Sequence, residues 1–71
     1  MPKLPSVSGR KIIRSLNKLG FIIVRQRGSH VFMQREDSTV TVPLHDPVKK
    51  TTLTSILSQA GVSLEEFLEN L

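Results

Sequence analysis

The run Gly28-Ser29-His30-Val31-Phe32-Met33 holds the residues best suited to chemistry in this chain. A glycine and a small hydroxyl residue lead into an imidazole, which stands at or beside the first position of an apolar, β-prone run. Imidazole titrates near pH 6.5 in model peptides, so it both takes and gives a proton near neutrality. At the margin of a strand it is held by the sheet and still reaches a substrate in solvent. The same placement also fits a half-exposed strand residue that does no chemistry, so the decision rests on the elements around it.

Those elements follow from hydrophobic spacing. Pro2 and Pro5 give an extended lead-in, and Ser8 is placed to cap a helix. Ile12, Ile13, Leu16 and Leu19 then recur at helical spacing, leaving Arg10, Lys11, Arg14 and Lys18 for the other faces. Gly20 falls where a helix ends in a left-handed residue, with Phe21 next to fold back onto Leu16. Phe21–Val24 reads as a short strand ending before the polar Arg25-Gln26-Arg27. Gly28-Ser29 supplies a turn, His30–Arg35 a second strand, Glu36-Asp37-Ser38 a second turn, and Thr39–Val42 a third strand before Pro43. Alternation leaves the phase of the second strand open. His30, Phe32 and Gln34 share one side and Val31, Met33 and Arg35 the other, and apolar residues occur on both.

After the loop Leu44–Val48, Thr51 or Thr52 is placed to cap a helix whose buried stripe is Leu53, Ile56, Leu57 and Ala60, with Gly61 ending it as Gly20 ends the first. Ser63 and Glu66 form a capping box before a short acidic helix with Leu64, Phe67, Leu68 and Leu71 on one stripe. The expected architecture is α+β: a two-layer sandwich in which two helices cover one face of a three-stranded antiparallel sheet, in the order α-β-β-β-α, with a short C-terminal helix. It forms one domain over residues 1–71, with a core at about 6–62 and the acidic helix at 63–71.

Totals narrow the function. A chain of 71 residues leaves no room for a second domain or a deep cleft. Without cysteine it has neither a disulfide nor a thiolate nucleophile, and a zinc site would rely on histidine and carboxylates. No apolar run approaches the roughly 20 residues that cross a bilayer, and no signal-peptide segment opens the chain, so a soluble, cytoplasmic protein without membrane association is expected. The net charge is +4, but Glu65, Glu66 and Glu69 crowd the end, and residues 1–62 alone carry +7. A basic body suits a polyanion such as nucleic acid.

Taken together, Leu19-Gly20-Phe21, Arg25-Gln26-Arg27-Gly28-Ser29-His30, Val42-Pro43-Leu44-His45, and Leu53 through Ile56-Leu57 to Ala60-Gly61-Val62 resemble the HicA (YcfA-like) family of toxin mRNA interferases. The resemblance runs from Ser8 to Ser63. It implies a fold like the double-stranded-RNA-binding domain, endoribonuclease activity on mRNA, and neutralisation by a HicB-like antitoxin, with the toxin and antitoxin capable of forming a larger hetero-oligomer. The double-stranded preference of the look-alike fold does not transfer, since fold does not fix function. The family's catalytic histidine, the one in Gly-Ser-His, falls on His30.

RNA brings its own nucleophile, the 2′-hydroxyl, so cleavage needs a base, an acid and positive charge for the phosphorane. His30 is the expected proton-transfer group, and no metal or other cofactor is expected. His45 either completes an acid/base pair or makes a loop hydrogen bond. Ser29 binds a phosphate or fixes the turn, and Gly28 supplies a positive φ or a close approach. Arg25, Arg27, Lys49 and Lys50 are candidates for phosphate contacts, with Lys11 and Arg14 as a second track. With three Phe and no Tyr or Trp, a base-stacking platform is thin. A non-catalytic RNA-binding module and a pure protein-interaction domain are the competing readings.

Overall fold

The computed structural model describes residues 3–71, so the lead-in reading at Pro2 lies outside it. The elements are α1 (Gly9–Lys18), β1 (Ile22–Arg27), β2 (His30–Arg35), β3 (Ser38–Pro43), α2 (Lys50–Ala60) and α3 (Leu64–Glu69). The sheet is antiparallel throughout, in the order β1-β2-β3. Val31 and Met33 of β2 and Val40 and Val42 of β3 join Ile12 and Leu16 of α1 and Leu53, Ile56, Leu57 and Ala60 of α2 in one buried cluster. Both long helices therefore cover the same face, as the α+β reading expects. The phase of β2 is also resolved: Val31 and Met33 face the helices, so His30 stands on the open side.

Local signals set the boundaries of α1. The Ser8 hydroxyl accepts from the Lys11 N–H at 3.3 Å, satisfying one of the unpaired donors of the first turn. At the other end Phe21 N–H donates to Leu16 O at 2.9 Å and Gly20 N–H to Asn17 O at 3.1 Å, with Gly20 at φ +100. This is the paired closure expected of Gly20 and Phe21. In α2 the N-cap differs from the expectation. The helix begins behind Lys49, which makes no side-chain cap bond, rather than behind Thr51 or Thr52. Its bonding starts early, with Leu53 N–H donating to Lys49 O at 2.9 Å. Val48, buried and tied to Val7 O at 2.8 Å, delivers the chain directly into the first turn.

The first strand is longer than its apolar run. Phe21 is fully buried beneath the end of α1, and β1 continues to Arg27. Its polar half pairs fully, Arg25 with Phe32, Gln26 with Val31 and Arg27 with His30. Apolar content fails as a boundary here because every β1 residue is exposed, so pairing rather than burial defines the strand.

Two contacts that join the layers are not visible in local sequence. Arg35 sends Nη1 to Leu19 O at 2.7 Å and Nη2 to Ala60 O at 3.5 Å, with its guanidinium 4.7 Å from the centre of the Phe21 ring. One cation thus serves the carbonyl ends of both long helices, where the helix dipole favours positive charge. At the start of α1, Gly9 N–H donates to His45 O at 2.8 Å. A Cβ on Gly9 would overlap the Pro43 carbonyl oxygen and lie 3.0 Å from Leu44 Cα. Gly9→Ala is therefore expected to destabilise the fold by about 1–3 kcal/mol through overpacking, despite the ~1 kcal/mol that alanine gains in a helix. A denaturation midpoint equal to or above that of the parent chain would contradict this close approach.

Candidate functional site

The site is built on the hairpin β1-β2. Residues directly opposite in an antiparallel pair point to the same side, so pairing assigns faces. His30 on the open side lies opposite Arg27, and Phe32 opposite Arg25. Both arginines therefore share the open face with the imidazole. The Arg25 guanidinium lies over the Phe32 ring, 5.4 Å from its centre, within cation–π range.

A register shift between Ile23 and Arg25 makes this arrangement possible. Ile22 faces the open side opposite Gln34, and Ile23 faces the helical side opposite Met33. Strict alternation from there would turn Arg25 and Arg27 toward the helices. Val24 is the additional residue, and β-bulges re-aim side chains in this way.

The turn that presents His30 is tight. Gly28 has φ +56, with open space where a Cβ would project, so its requirement is conformational rather than steric. Gln26 Nε2 donates to the Gly28 carbonyl at 3.1 Å. The Ser29 carbonyl accepts from Leu44 N–H at 2.7 Å, which ties the turn to the exit of β3. His30 also pairs with Pro43, the last residue of β3. His45 is exposed two residues beyond Pro43, and its carbonyl holds the first amide of α1. The hairpin turn, the β3 exit and the start of α1 thus meet at one end of the sheet.

Lys49 and Lys50 are exposed at the start of α2. They belong to the helical layer and do not share the open face with His30. Lys11 and Arg14 are exposed on α1, in that same layer. Phe32, Gly9, Arg35 and the bulge at Val24 are the structural contributors that sequence reasoning did not single out. Phe32 alone carried a local signal, being two residues from His30 on the same side of the strand.

No three histidine or carboxylate side chains among the described residues gather closely enough to hold a metal ion. Among those residues no helix is long and apolar enough to cross a membrane. No curated protein matches the chain. The family model described as the HicA toxin of bacterial toxin–antitoxin systems matches residues 9–62, which is the stretch from the first residue of α1 through the sheet to the residue after the Gly61 turn. With most of its length and every element that builds the hairpin inside that match, the chain belongs to the HicA toxin family.

Proposed function

We propose that this toxin is a metal-independent endoribonuclease that cleaves mRNA with His30 as its proton-transfer residue and is held inactive by a HicB-like antitoxin. The observation that carries the reading is the direct cross-strand opposition of His30 and Arg27 on an exposed sheet face, with Arg25 one pair further along the same face. His30 takes the proton of a ribose 2′-hydroxyl while O2′ forms a bond to the adjacent phosphorus. The phosphorus–O5′ bond breaks, and the imidazolium supplies the proton that O5′ needs to leave. The products are a 2′,3′-cyclic phosphate and a 5′-hydroxyl. Arg27 and Arg25 stabilise the charge that accumulates on the phosphorane.

The other candidates take smaller roles. Ser29 and Gly28 set the turn that aims His30, and His45 contacts the RNA from the β3 exit. Lys49 and Lys50 hold flanking phosphates that wrap around the sheet margin. The substrate places the toxin's action in the cytoplasm. Binding of the antitoxin stabilises the inhibited state by mass action, within a toxin–antitoxin hetero-oligomer.

Incubating the purified chain with a messenger fragment tests the reaction. Cleavage is expected to persist in excess EDTA and to leave 2′,3′-cyclic phosphate ends by mass spectrometry. Activity that disappears on chelation and returns with Mg²⁺ would overturn the mechanism. The arginines are tested separately by salt dependence. Replacing Arg25 and Arg27 with alanine is expected to reduce the log–log slope of RNA affinity against salt by about 0.7 for each lost single-strand phosphate contact. An unchanged slope would remove both from the RNA surface.

A further inference from the structure

β1 carries three consecutive large apolar side chains into water. Ile22, Ile23 and Val24 are 60%, 53% and 49% exposed. The sheet order leaves the outer side of β1 outside any ladder, while α1 and α2 pack on β3 at the opposite edge. β3 is an edge strand too, yet it buries Val40 and Val42. Proteins usually blunt an edge with charge, proline or a covering element. Here the cations stand only in the second half, at Arg25 and Arg27, and the first half is bare aliphatic surface. Ile22 faces the open side and Ile23 the helical side, so apolar groups flank the unpaired main chain above and below. This combination complements an extended strand, whose backbone takes the free edge while its side chains cover the isoleucines.

Charge selects the occupant. A second copy paired antiparallel over Ile22–Arg27 would set its own Arg25 and Arg27 against the aliphatic half of this strand and give none of the four arginines a counter-charge, on a chain of net charge +4. RNA offers no aliphatic groups to cover Ile22 and Ile23. A strand with apolar residues along Ile22–Val24 and carboxylates along Arg25–Arg27 satisfies both halves.

We propose that the outer edge of β1 receives an acidic, extended strand of the antitoxin. The identity of this partner rests on the toxin reading above. Such a strand delivers carboxylates to the two arginines that flank His30, so docking on the edge withdraws the positive charge that the RNA phosphate needs.

The probe is an acetylated and amidated octapeptide, Glu-Thr-Glu-Thr-Val-Thr-Val-Thr, added to the isotope-labelled full chain. Antiparallel pairing sets its glutamates along Arg25–Arg27 and its valines along Ile22–Ile23. Amide shifts and slowed hydrogen exchange are expected at Ile22–Arg27. Both are expected to vanish when lysine replaces glutamate or proline replaces the central threonine. Ile22→Asp with Ile23→Asp is expected to weaken binding by about tenfold or more, because the aliphatic cover is lost and carboxylates are set against the valines, with the β2 and β3 signals unchanged to confirm folding. No perturbation of β1 by the peptide, slowed exchange of the Ile22–Val24 amides on addition of RNA, or concentration-dependent pairing of the chain with itself through β1 would each overturn the proposal. RNA cleavage is measured on the same samples. A chain that protects β1 on peptide addition but cleaves no RNA sinks the ribonuclease reading alone, and one that cleaves RNA but ignores the peptide sinks the docking proposal alone.

Discussion

His30→Ala is expected to reduce RNA cleavage by about 10²- to 10⁴-fold, the usual contribution of a positioned proton-transfer group. The side chain is exposed at the start of β2, so its removal opens no cavity, and the melting temperature should move by no more than an exposed substitution allows, about 0.5 kcal/mol. RNA affinity is expected to change by less than about threefold, because the phosphate contacts assigned to Arg25 and Arg27 remain. This separation of rate from affinity distinguishes an enzyme from a module that only holds RNA. Cleavage by the variant at the parent rate would remove His30 from the mechanism. Equal binding with no cleavage by either protein would favour the binding module.

Phe67→Ala is expected to cost about 3–5 kcal/mol, the range for deleting a buried aromatic ring. Phe67 is completely buried, and its carbonyl accepts from the Ser15 hydroxyl of α1 at 2.9 Å in the interior. The acidic C-terminal helix is thus fastened to the first helix by a ring and a buried hydrogen bond, with Leu64 and Leu68 packed beside it. A domain of this size has a total stability on the order of 5–10 kcal/mol. The loss therefore corresponds to a fall in melting temperature on the order of 20 °C. A shift below about 5 °C would show α3 to be peripheral to the fold.

These expectations depend unequally on what the residues reveal in one dimension. The caps at Ser8 and Ser63, the closures at Gly20-Phe21 and Gly61-Val62, and the stripe Leu53, Ile56, Leu57 and Ala60 were legible because each is set by residues within about one helical turn. The Gly28-Ser29 turn and the span of β2 were legible for the same local reason. The face of β2 was not, because Phe32 is as apolar as Val31 and Met33, and only packing against the helices distinguishes them. The extension of β1 through Arg25–Arg27 carries no such local signal because an edge strand exposed on both sides shows no burial pattern. Arg35 joining Leu19 to Ala60, and Gly9 lying against Pro43, link positions far apart in the chain, and neither leaves a mark on its own neighbourhood. Phe67 displayed its stripe without disclosing which surface would receive it.

The extra residue at Val24 makes β1 two segments of opposite parity joined end to end. Before it, an even-numbered side chain looks outward, and after it the odd-numbered ones do. Tallying guanidinium groups along the chain consequently says nothing about where they point. Pairing every residue in turn, with Val24 opposite Phe32 and Arg25 opposite Val31, would keep the same composition and turn Arg25 and Arg27 toward the aliphatic layer. The outward display of cations beside His30 thus depends on one residue being left out of the ladder, and the hairpin moved to another scaffold would retain it only if the bulge at Val24 survived the move.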